Sequence, residues 1–86
     1  MNKLTSLEGI AMGDIIGYRK KPHPMTMFPV CSVSSNVVML KGLTSLFELR
    51  MRNDRLLFNG IGLSDDEMLV NTTAEFNNCI DELIVL

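Results

Sequence analysis

The side chains able to do chemistry are few and scattered along this 86-residue chain. Its one histidine, His23, stands between two prolines in Arg19-Lys20-Lys21-Pro22-His23-Pro24, with no acid in that stretch to orient the imidazole as a general base would need. Two cysteines, Cys31 and Cys79, lie far apart, and no Cys-x-x-Cys or second histidine completes a zinc site. Asp65-Asp66-Glu67 is the densest carboxylate cluster, and Ser64 before it gives the Ser-x-x-Glu spacing of a helix cap, a more economical role than metal binding. Gly9, Gly13 and Gly17 recur every four residues, but no Gly-Lys-Ser/Thr follows, so they read as turn and close-approach glycines and not as a phosphate loop. The expectation is a protein with no catalytic residues, no metal and no cofactor.

What remains is surface chemistry. The eight Lys and Arg all fall within residues 1–55, against Glu8, Asp14, Glu48 and Asp54, a balance of +4; residues 56–86 hold six acids and no base, a balance of −6. Such asymmetry favours charged partners or head-to-tail contacts between copies. Arg19, Lys20, Lys21 and His23 sit on a loop that the two prolines should hold extended and projecting. Arg50, Arg52 and Arg55 cluster on the solvent side of one predicted hairpin, near that loop. Asp81 and Glu82 belong to an acidic face, while Ile84 and Leu86 belong to the apolar run 83–86. These eleven residues are the candidate partner-binding set.

The elements that position them can be read from periodicity. In 46–52, Phe47, Leu49 and Met51 alternate with Glu48, Arg50 and Arg52, the pattern of a half-buried strand. Asn53-Asp54 then suits a two-residue hairpin turn. The predicted strands cover about 14–19, 27–34, 37–41, 46–52 and 55–61, with Pro29 placing the first half of the second one at an edge or a bulge. Leu69, Thr72, Phe76, Ile80 and Leu83 recur at helical spacing after the Ser64 cap, which predicts a helix over about 65–83, either bent or broken into 65–70 and 73–83. The fold class expected is α+β: a small antiparallel SH3-like barrel or sheet of four or five strands with a helix after it, residues 1–86 forming one domain.

Apolar residues make up 47% of the chain and seven are methionine, more than so small a volume encloses easily, since a chain of this length buries only ~60–65% of its unfolded surface. No apolar run reaches the ~20 residues that span a bilayer. No leader with an apolar core precedes the mixed polar start, so the thiols are expected to pack as small apolar groups in a reduced, cytoplasmic setting, with a disulfide as the alternative.

Three stretches carry a resemblance: 7–18 (L-E-G-I-A-M-G-D-I-I-G-Y), 29–38 (P-V-C-S-V-S-S-N-V-V) and 61–69 (I-G-L-S-D-D-E-M-L). Their order resembles a group of small proteins of phages and mobile elements, in which a hydrophobic-x-x-Gly-Asp/Asn strand opener precedes a short SH3-like barrel and an Ile-x-Leu-Ser/Thr-acidic-acidic helix start. The resemblance implies a host cytoplasmic location and transfers no catalytic residues. The functional expectation is a non-catalytic module that binds a partner protein or another copy of itself, in one variant an accessory or inhibitor protein presenting its acidic face to a nucleic-acid-binding groove. The alternative is a nucleic-acid-binding barrel using Arg19, Lys20, Lys21, Arg50, Arg52 and Arg55.

Overall fold

The structure is a computed structural model that describes residues 2–72. It is all-β: β1 (Asn2–Lys3), β2 (Ile15–Lys20), β3 (Thr26–Val33), β4 (Val37–Lys41), β5 (Leu46–Arg52), β6 (Arg55–Phe58), β7 (Ile61–Gly62) and β8 (Glu67–Thr72). Every pairing is antiparallel, and the order across the sheet is β1-β8-β2-β3-β4-β5-β6-β7. From β2 to β7 the chain is a simple meander; β8 then returns to lie between β1 and β2.

The sheet curls into a half-barrel because β3 changes partner part-way along. Thr26 to Pro29 pair with β2, whereas Val30 to Val33 pair with β4, with a bulge between Val30 and Ser32. Pro29, which has no N–H to give a ladder, sits at this handover, and the bulge beside it adds the local bend that turns one half of the sheet onto the other. Inside the curl lie Ile10, Ile16, Phe28, Val30, Val38, Leu40, Leu49, Leu56 and Leu69, with Leu63 and Tyr18 packed against them. In β5 Leu49 is buried and Met51 half-buried between the exposed Arg50 and Arg52, as the period-two pattern indicates, while Phe47 and Glu48 are both half-buried; Asn53 and Asp54 take φ of 50° and 63°, the left-handed pair that a two-residue turn between Arg52 and Arg55 requires.

Two sequence expectations are corrected. No helix occurs among the described residues, so the α+β class gives way to all-β, and 67–72 is a strand where the helix 65–83 was expected. The Ser64 cap forms only in half: the Ser64 N–H donates to Glu67 Oε2 at 2.7 Å, but the Ser64 hydroxyl donates to Asp66 instead of accepting an N–H, and the result is a turn. Leu69 fits a helical stripe with Thr72 and Phe76 in sequence, and the strand gives no polar alternation to contradict it, because β8 lies between two strands and buries the neighbours Leu69 and Val70 on opposite faces. The remainder of the expected helix lies outside the described residues. The second correction is the strand 55–61, which breaks at Asn59-Gly60, with φ of 55° and 81°, and doubles back as β7.

Candidate binding surface

Antiparallel pairing fixes which residues share an end of the sheet. At the upper end β2 finishes at Lys20, β5 begins at Leu46, β6 finishes at Phe58 and β8 begins at Glu67; at the lower end are the turns 34–36 and 53–54. Aromatic side chains fill the upper end. Tyr18 of β2 stacks on Phe58 of β6, ring centres 4.8 Å apart and planes 1° from parallel, so these rings tie two strands that share no ladder. Phe47 lies 5.7 Å from Phe58, and Phe28 lies 4.9 Å from Phe47.

The segment 63–66 crosses from β7 to β8 over the open side of the curl. Glu67 holds it there. Its carboxylate accepts the Ser64 N–H, the Tyr18 hydroxyl at 3.0 Å and the Lys20 ammonium at 3.5 Å. The backbone hydrogen bond from Ser64 is the main influence keeping the Glu67 carboxyl below its ordinary range, with the Tyr18 hydroxyl and Lys20 acting in the same direction. Burial, then the hydrogen bond to Glu67, raise the Tyr18 phenol above its ordinary value.

Between this segment and the stacked rings lies an open groove of about 250 Å³, lined by Tyr18, Phe58, Ile61, Leu63 and Glu67 among others. Of its lining residues Ile61 is 73% exposed; elsewhere among the upper turns, Leu43 in the 42–45 turn is 91% exposed and Leu46 58%. Three of the five exposed large apolar residues thus share the upper end; Met12 and Val33 lie at the lower one. Strand β7 is the last in the sheet, with no strand on its far side among the described residues.

The expected basic surface is taken apart. Lys20 and Lys21 are at the upper end, Arg52 and Arg55 at the lower, because β2 and β5 run in opposite directions. Arg19 is half-buried on the outer face, its Nη2 donating to Met68 Sδ at 3.1 Å. Lys20 is engaged by Glu67, and Arg50 by Glu48. The loop with His23 does not project: the His23 N–H donates to the Lys20 carbonyl at 2.8 Å and Lys21 N–H to the Asp66 carbonyl at 3.3 Å, folding it into a turn against the 64–66 segment. Lys21, His23, Arg52 and Arg55 are exposed, as is Arg50 despite its ion pair. Asp81, Glu82, Ile84 and Leu86 lie outside the described residues, as does Cys79. Cys31 is half-buried at the bulge, its thiol donating to the Met39 carbonyl at 3.4 Å.

The residues that make this end distinctive, Tyr18, Leu43, Leu46, Phe58, Ile61 and Glu67, were not in the sequence-derived set. A faint signal existed: Leu43 interrupts the otherwise polar Gly-Leu-Thr-Ser turn, and Ile61 follows Asn-Gly, where a tight turn leaves an apolar side chain little cover. Among the described residues no cluster of His, Cys, Asp and Glu could hold a metal ion, and no helix is long and apolar enough to cross a membrane. Comparison with known proteins supplies no relative: no family model, curated protein or solved structure matches the chain.

Proposed function

We propose that this protein is a non-catalytic protein-binding module that takes an extended segment of its partner at the upper end of the sheet, along β7 and over the Tyr18–Phe58 groove. One observation carries the reading: Ile61, 73% exposed, lines a groove together with the stacked rings of Tyr18 and Phe58 and with Leu63. An edge strand beside an apolar groove suits a peptide that adds main-chain hydrogen bonds to the sheet and inserts one side chain. Glu67 is the acid of the groove, and its oxygens already serve Ser64, Tyr18 and Lys20, contacts that brace the groove wall.

Selection from a library of random peptides against the full chain tests this, with bound peptides mapped by backbone amide shifts. The expected result is enrichment of peptides with an apolar anchor, shifts confined to 42–46, 58–63 and Tyr18, and at least tenfold weaker binding to Ile61→Asp. A failure to enrich any peptide, or shifts at Arg52 and Arg55 instead, would overturn it. A labelled oligonucleotide titrated at two salt concentrations completes the experiment: salt-dependent binding that shifts the arginines moves the reading to nucleic acid.

A further inference from the structure

At the free edge of the sheet a glycine lies under a cation. Strand β6 turns Leu56 into the core, so its neighbours Arg55 and Leu57 lie on the outer face, and Gly62 of β7, opposite Leu57, belongs to that face as well. Gly62 brings no side chain there, and the Arg55 guanidinium reaches over it: a methyl on Gly62 would stand 3.2 Å from Arg55 Nη2 and 3.8 Å from Leu57 Cδ2. Arg55 is exposed and makes no ion pair among the described residues. Its cross-strand partner at the turn is Arg52, a second exposed arginine, and like charges so placed repel. The nearby Arg50 differs, since Glu48 answers it.

The backbone is open at the same point. The two-residue turn 59–60 closes on Phe58 and Ile61, and the alternation of an antiparallel ladder then aims the Gly62 N–H and C=O away from β6, toward the edge where no strand follows among the described residues. A segment added antiparallel to β7 would set one residue opposite Gly62, its side chain on the outer face beside Arg55. The next residue would stand opposite Ile61, its side chain on the face of the Tyr18–Phe58 groove. Resting on the reading that the groove receives a peptide strand, we propose that this strand carries an acidic residue immediately before its apolar anchor, with the carboxylate paired to Arg55 above Gly62. A Cβ at Gly62 would crowd the guanidinium that the carboxylate has to meet. A second copy of this chain is disfavoured as the occupant, since antiparallel pairing of β7 with β7 would bring two Arg55 side chains together.

The test titrates the full chain with short capped peptides of serine and threonine around a central leucine, preceded by aspartate, asparagine or lysine. At low salt the aspartate peptide is expected to bind about two- to fivefold tighter than the asparagine one, a ratio that falls at high salt. Arg55→Gln brings the ratio to one. Arg55→Glu turns it over, so that the lysine peptide binds tightest; the exposed position lets both variants keep the fold, which unchanged amide spectra away from β6 and β7 verify. Equal binding of the aspartate and asparagine peptides, or a ratio that persists in Arg55→Gln, overturns the acidic preference and leaves the groove reading standing. No binding by any of the peptides overturns both. A parent chain that dimerises without peptide and slows exchange of its Gly62 amide names a second copy as the occupant and also overturns the proposal, as does an oligonucleotide that binds through Arg55 where no peptide does.

Discussion

The Tyr18 hydroxyl donates to Glu67 Oε1 at 3.0 Å while the Tyr18 ring lies flat on Phe58, 4.8 Å away. One side chain therefore joins β2 to β8 by its polar tip and to β6 by its face, and the groove takes its shape from that double attachment.

Removing the Glu67 charge should flatten the acid limb of stability. Because its carboxyl titrates below the ordinary 4.5 in the folded protein, the folded state binds fewer protons than the unfolded one as pH falls through that region. Stability is present above the ordinary value and is lost as pH drops through the lower folded one. Urea midpoints measured from pH 7 down to 3 are expected to fall less steeply in Glu67→Gln; parallel curves would dismiss the carboxylate as a source of acid sensitivity.

Tyr18 is the chain's one tyrosine, so tyrosinate absorbance reports it alone. Its midpoint is expected above 10.0, and lower in Glu67→Gln than in the parent. A raised folded value means stability is full below the ordinary midpoint and declines as pH rises through the folded one. A midpoint at or below 10.0 in the folded parent refutes this.

Gly17→Ala should destabilise the sheet by about 1–3 kcal/mol through overpacking. The new methyl would stand 2.5 Å from Met25 Sδ and 3.1 Å from Val70 Cγ2; the thioether can swing aside, but the valine methyl is fixed in β8. Chemical denaturation measures the loss, and Met25→Ala in the same chain should recover part of it. No recovery would place the clash at Val70 or Met27, whose Sδ also stands 3.1 Å from the new methyl.

Asp54→Gly should stabilise the 53–54 turn by up to about 1 kcal/mol, since φ of 63° penalises a side chain and Asn-Gly is the preferred pair for this turn. A lower melting temperature would show that Asp54 makes a compensating contact.

How much of this could be read beforehand followed from how local each signal was. The β5 strand and the Asn53-Asp54 turn were legible because alternation and turn chemistry act between near neighbours. Strand β8 was not: Leu69 and Val70 face opposite layers of the molecule, and only their pairing with β2 tells a doubly covered strand from a helix. The arginines of β5 and β6 were assigned to the Lys20 end because charge was judged by residue type, while their placement depends on strand direction, a property of the whole meander. Arg19 was counted with the free cations for the same reason, although the register turns it to the outer face. The groove is not legible because Tyr18, Phe58 and Ile61 are unremarkable singly and come together only through topology.

The handover of β3 at Pro29 has a reach beyond its own corner. A ring that offers no proton to either neighbour leaves the two half-sheets sharing one continuous backbone, like covers hung on a single spine. Tyr18 and Phe58 belong to opposite half-sheets, so the angle β3 takes between Pro29 and Ser32 sets their approach together with the stacking of their rings.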